Sequence, residues 1–299
     1  MNARRFLLLL ALAAAGCAIS PPPADLEGRI WDVRAGQFIA EEELALRLRG
    51  SRFRLLGEVH DHPEQHRLRA ALIRKIAAPG GATEIYFEQF DLENDAALRS
   101  AQAGGADAEA LARAGKLAES WKWPLHKPLV EAALSESHPV RAANLSRADA
   151  RGIVTAGALA PRDAALAAVL ANSDWPPARD AALREEIFES HCGMLPEKMM
   201  PGMALAQRAR DAAMAHALAQ AAGSAVLIAG NGHVRLDQGV PLYLPKGAAL
   251  LSVGFLETRQ GEADPRAYAR GRDGERSYDY VWFTSPQARP DPCEALRKR

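Results

Sequence analysis

The sequence predicts an α/β fold: a mainly parallel sheet flanked by helices, with a helical insertion forming a second, smaller part. Two observations carry this expectation. Apolar runs at 52–58 (RFRLLGE), 83–90 (TEIYFEQF), 138–145 (HPVRAANL) and 224–232 (SAVLIAGNG) each end in polar or glycine residues, and helical stretches separate the first three. That alternation is the pattern of parallel strands joined by crossover helices. The stretch from 146 to 223 is alanine-rich, with helical spacing and no strand signal, and is too long for a crossover.

From the N-terminus, residues 1–16 (MNARRFLLLLALAAAG) hold two arginines and an apolar stretch too short to span a bilayer, and read as a secretory signal. Cys17 directly after Ala-Ala-Gly resembles a lipobox, so cleavage before it and lipidation of its thiol are expected. An ordinary signal peptide with a chance cysteine is the plain alternative. Residues 17–27 form a tether, which Pro21 to Pro23 keep extended. The α/β domain is expected over 28–145 and 224–299, with the helical insertion at 146–223 between. Helices are expected at 64–78 and 106–120, and Pro176, Pro177 and Pro196 punctuate the insertion. After residue 239, VPLYLP (240–245), ALLSVGFLE (249–257) and YDYVWFT (278–284) read as closely connected strands at one sheet edge.

Charge narrows the partners. Removing Arg4 and Arg5 from 37 basic residues leaves 35 against 37 acidic, a net charge near −2 with no basic run, which gives nucleic acid no footprint. Cys192 and Cys293 remain after cleavage in an oxidising compartment, as a disulfide or as two buried thiols; spacing does not decide.

Open α/β sheets bind ligands beyond the C-terminal ends of their strands, and three expected strand ends here carry chemistry. Glu58 and His60 follow the first run two residues apart, on one side of an extended chain. Glu88 lies in the second, and Asn231 and His233 follow the glycine-flanked end of the fourth. Each alone reads as a loop residue or helix cap. Together, Glu58, His60, Glu88 and His233 are a candidate catalytic cluster, or a candidate set of ligands for a divalent metal. His62 and His66 begin the next helix, and His66 is expected to face solvent. In the insertion, Met194, Met199, Met200, Met203 and Met214 are five of the six methionines; Met194, Met199 and Met203 suit the wall of a large apolar ligand, while Met214 reads as core. Gln207 and Asp211 share a helix face with Arg208 beside them, and Trp121 and Trp123 lie close to His126.

Taken in order, LLGEVHDHPEQH (55–66), FEQF (87–90), WKWP…PLV, HCGMLP…AQRARDAAMA and GNGHVR…GVPLYL resemble the ChaN-like family of haem-binding lipoproteins, within a superfamily that includes Tiki proteases and erythromycin esterases. The resemblance implies haem as the cofactor and partner, a lipid anchor in the bacterial outer membrane, and a role in haem and iron uptake through a haem-uptake receptor system, with a homodimer as one arrangement. Haem needs an axial ligand, commonly Tyr, His or Met. The chain from 91 to 225 has no tyrosine, and position 126, where relatives are expected to show one, is histidine. His126 is therefore the first expected ligand and His191 the second, with Tyr243 at the sheet edge held in reserve. Met194, Met199, Met203 and Trp123 are expected as apolar walls, and Arg208 or Arg235 as propionate partners. The competing reading is a hydrolase using Glu58, His60, Glu88 and His233.

Overall fold

The computed structural model describes residues 25–76, 83–160, 163–272 and 274–297. The expected signal peptide, Cys17 and most of the tether lie outside the described residues.

The apolar runs become strands because they are buried on both faces of one sheet. Its strands are β1 (Ile30–Asp32), β2 (Gln37–Ile39), β3 (Phe53–Leu56), β4 (Thr83–Asp91), β5 (Val140–Asn144), β6 (Ser224–Ile228), β7 (Leu250–Glu257) and β8 (Tyr280–Thr284). They lie in the order β2-β1-β8-β7-β3-β6-β4-β5. All neighbours from β8 to β5 run parallel, and β1 is antiparallel to both β2 and β8. Alternate residues feed two separate cores, as a two-sided sheet requires. Phe53, Leu55, Tyr86 and Leu227 join one core, whereas Leu56, Phe87, Val226 and Ile228 join the other.

The second core is covered by α1 (Glu41–Arg49), α2 (Pro63–Lys75), α3 (Asp95–Ala103), α4 (Ala108–Ala114) and α5 (Lys127–Ser135). Between β5 and β6 come α6 (Arg147–Ala156), α7 (Ala164–Ala171), α8 (Pro177–Ser190) and α9 (Met200–Ala219). Helix α9 lies on the first core through Ala209, Ala212, Ala213 and a fully buried Met214. Its small residues let neighbours approach closely; a Cβ on Gly202 would come within 2.5 Å of the Val154 carbonyl oxygen of α6. Helix α8 packs on α9 through Leu183, Ile187, Met200 and Ala204.

Several local expectations are corrected. Residues 240–245 are no strand: Val240–Tyr243 form a 3-10 turn with Pro241 in its first turn, a residue that cannot donate to a ladder. The sheet edge is instead the β1–β2 hairpin, whose three-residue strands are too short for an alternation to show. The single helix expected at 106–120 stops after α4, where Lys116 takes φ 48°, and a one-turn 3-10 segment follows at Glu119–Trp121. Cys192 and Cys293 form a disulfide, Cα atoms 5.6 Å apart, fastening α10 (Pro292–Arg297) to the turn after α8.

Candidate functional site

Strands β3, β6 and β4 are consecutive neighbours, so their C-terminal ends form one rim. Asn231 ties this rim together: its Oδ1 accepts from the Phe255 amide at 3.0 Å and its Nδ2 donates to the Phe255 carbonyl at 2.6 Å, stitching the β6 exit to β7 across β3. That stitch passes where a side chain at Gly57 would stand, which is why the residue before Glu58 is glycine.

Glu58, 2% exposed, collects four donors. Its Oε1 accepts from His60 Nδ1 at 2.7 Å, Gln89 Nε2 at 2.9 Å and His126 Nε2 at 3.0 Å, while Oε2 takes the Arg69 guanidinium. Burial alone would raise its pKa, but Arg69, His126 and His60 outweigh it and hold the carboxyl well below its usual range. His66 supports Arg69 from behind. Its Nε2 donates to the His60 carbonyl at 3.0 Å, which leaves Nδ1 to accept from Arg69 Nη2 at 2.6 Å. The imidazole is thereby neutral, and burial lowers its pKa to about 3. His60 alone in this group reaches solvent, its side chain 46% exposed. With Nδ1 committed to Glu58, its Nε2 edge lies over Gly230, close to Glu88.

A second chain of charges runs from Glu88 into the insertion. Glu88 Oε2 accepts from the Gly230 amide at 2.7 Å, and Oε1 lies 3.3 Å from His233 Nε2. His233 Nδ1 donates to Asp211 Oδ1 at 2.6 Å, with the Gln207 amide 3.3 Å away. Burial would lower the His233 pKa; the carboxylates of Glu88 and Asp211 outweigh it and push it up to about 10. Burial likewise opposes ionisation of Glu88, yet His233 and His60 bring it down to about 2. The polar face of Gln207 and Asp211 on α9 thus meets His233.

One donor set has metal-like spacing: ligand atoms of Glu58, His66 and His126 lie within 4.8 Å of one another. The Arg69 guanidinium, however, already contacts both Glu58 Oε2 and His66 Nδ1, filling the position between them with a fixed cation. The expected set of Glu58, His60, Glu88 and His233 fits a metal no better, because both His233 nitrogens face carboxylates and His60 Nδ1 is bonded to Glu58.

Beside the rim, a cavity of about 190 Å³ opens between α8 and α9, walled by Leu183, Ile187 and Met203 and bordered by His191, Gln207 and Asp211. His191 Nδ1 donates to the Ile187 carbonyl at 2.7 Å. A carbonyl only accepts, so Nδ1 carries a proton, and in the neutral ring Nε2 is the nitrogen left to coordinate a metal.

The profile of a family described as haem-binding uptake, Tiki superfamily, ChaN matches residues 44–244, two thirds of the chain. The chain belongs to the ChaN family. Among solved structures, the one titled for cofacial haem binding to ChaN of Campylobacter jejuni is 20% identical, spans 85% of this chain and 95% of its own, and superposes with a TM-score of 0.68, so the fold is shared. The type III effector HopBA1 (13% identity; 83% of this chain and 94% of its own; TM-score 0.44) and an erythromycin esterase mutant in its open conformation (15%; 77% and 76%; TM-score 0.41) are more distant. No curated protein matches significantly.

In this ChaN-family chain Glu58, His60, Glu88 and His233 share the rim. His126 stands with them: it is 1% exposed and bonded to Glu58, which removes it from any ligand outside the core. His66 is fully buried, correcting the solvent-facing expectation. Arg208 donates through Nε to the Tyr243 hydroxyl at 3.2 Å and lies over the Trp175 ring, whereas Arg235 is engaged through all three guanidinium nitrogens by Asp237 and Glu186, so Arg235 is not free for a propionate. Burial raises the Tyr243 pKa, keeping it a phenol. Trp123 donates to Glu109 at 2.7 Å, away from the cavity, and Asn231 is the rim stitch. Met203 lines the cavity, Met199 is half-buried and Met194 is 50% exposed. Arg69 was missed, although its position three residues after His66 and seven after His62 puts all three on one helix face.

Proposed function

We propose that this chain binds haem at the α8–α9 cavity beside the rim, with His191 as the iron ligand. One observation carries the choice: His191 is held through Nδ1 by a backbone carbonyl while its ring borders an apolar-walled cavity, the arrangement that orients metal-ligating histidines. The cavity is smaller than a whole haem, so the macrocycle would stand partly outside it, against the exposed Met194 and Phe188. The ChaN relative that binds haem cofacially supports the ligand class. Haemin titration followed by optical spectroscopy tests the reading. A saturable Soret shift is expected for the wild type and for His126→Ala, and its loss in His191→Ala. An unchanged spectrum in His191→Ala would remove the assignment.

The anchor belongs to the same proposal: lipid on Cys17 would hold the domain at the outer membrane for haem uptake. Membrane fractionation of Cys17→Ser checks it, and a variant that stays in salt-washed membranes would exclude lipidation.

A hydrolytic reading is favoured by one feature, the half-exposed His60 with Nδ1 fixed by Glu58. That is a base and its orienting carboxylate. A panel of activated esters should then show turnover that His60→Ala abolishes; no turnover in the wild type would retire this reading.

A further inference from the structure

At the opposite end of the sheet from the rim, a second cavity of about 410 Å³ opens where β1, β7 and β8 meet α1. Three arginines border it, Arg34, Arg47 and Arg276. Two are oriented by buried carboxylates that the backbone fixes in turn. Asp32, 3% exposed, accepts from the Ala35 amide at 2.8 Å and pairs with Arg47 at 2.5 Å. Asp279, 8% exposed, accepts from the Ser252 amide at 2.9 Å and pairs with Arg276 Nη1 at 3.0 Å.

Donors are left over after this pairing. Among the described residues the Arg276 guanidinium is paired through Nη1 alone, and the exposed Arg34 acts on the Asp279 carboxylate only through its field, with no hydrogen bond or ion pair of its own. The buried Tyr280 hydroxyl accepts from Arg47 Nη1 at 3.0 Å, so its own proton is available to an acceptor. Leu236, Leu250 and Leu251 supply an apolar wall. The three arginines are balanced by Asp32, Asp279 and Glu43, which also pairs with Arg47, so the surroundings are close to neutral and a single negative charge suits them better than two.

We propose that this cavity binds a small organic monocarboxylate, its carboxylate on the Arg34 and Arg276 guanidinium groups and the Tyr280 hydroxyl, its apolar body against the three leucines. Bidentate guanidinium–carboxylate pairing supplies the specificity. The site is independent of the haem reading.

Calorimetric titration with benzoate and hexanoate, with inorganic phosphate as the comparison, tests it on the full chain. Saturable binding of a carboxylate is expected, tighter than phosphate, unchanged in His191→Ala and weakened at least about tenfold in Arg276→Gln and in Arg34→Ala. Arg34 is exposed, so that variant keeps the argument testable even if Arg276→Gln misfolds. No saturable carboxylate binding, binding indifferent to Arg34→Ala, or phosphate bound as tightly as carboxylate would each overturn the proposal.

Discussion

Single residues at the rim act by what they exclude as much as by what they bond. Gly57 leaves room for the Asn231 side chain, and a methyl there would also come within 2.9 Å of Val234. Gly57→Ala should therefore destabilise the fold by about 1–3 kcal/mol, the range for overfilling a packed site. Urea unfolding measures this, and an unchanged midpoint would show that Asn231 can move aside. Titration adds a second residue-scale expectation. His233 has a folded-state pKa near 10 against about 6.5 when free, so its stabilising charge is fully present below 6.5 and is lost as pH rises through 10. His66, at about 3 when folded, stays neutral while the unfolded chain takes up a proton below about 6.5, so acid favours unfolding. Glu88, near 2 against a free value of 4.5, adds a loss as pH falls from 4.5 through 2. Melting temperature should thus peak at about pH 6–7, and His233→Gln should flatten the alkaline limb. A melting temperature that climbs from pH 7 to pH 9 would contradict this.

Among the elements, the contact of α6 with α9 depends on Gly202. Gly202→Ala should push the helices apart, because its Cβ meets backbone rather than a movable side chain. The expected loss is again about 1–3 kcal/mol, with faster amide exchange in α6; unaltered exchange there would place the slack elsewhere. The sequence revealed the parallel strands best, since long apolar runs such as AVLIAG ending in glycine leave few alternatives. It revealed β1 and β2 poorly, because three residues carry no periodicity. VPLYLP has the apolar content of a strand, but Pro241 lacks the amide a ladder needs and Val240–Tyr243 form a turn. The same limit governed the site. Glu58, Glu88 and His233 could be read from strand ends, which topology brings together. The burial of His66, His126 and Arg69 depends on α2 and α5 packing side by side, a tertiary contact that no local pattern announces.

Across the whole molecule, the Cys192–Cys293 disulfide joins points 101 residues apart and fastens the C-terminal helix beside His191. Disulfides typically stabilise by about 2–4 kcal/mol, and more as the closed loop lengthens, so Cys293→Ser should lower stability by at least about 2 kcal/mol in non-reducing buffer. Equal unfolding midpoints for the two forms would show that the bridge constrains little. The two cavities described above lie at opposite ends of the strands, so damage to one should leave the other's geometry standing.

Arg69 has a wider consequence. Iron, zinc and copper compete for any cluster of carboxylate and imidazole, and a protein that handles haem would meet iron shed from broken porphyrin. By keeping a permanently charged side chain against Glu58 and His66, the fold makes the cluster an occupied seat. A metal ion entering there would first have to displace the guanidinium, so the charge of the rim is set by the chain's own residues.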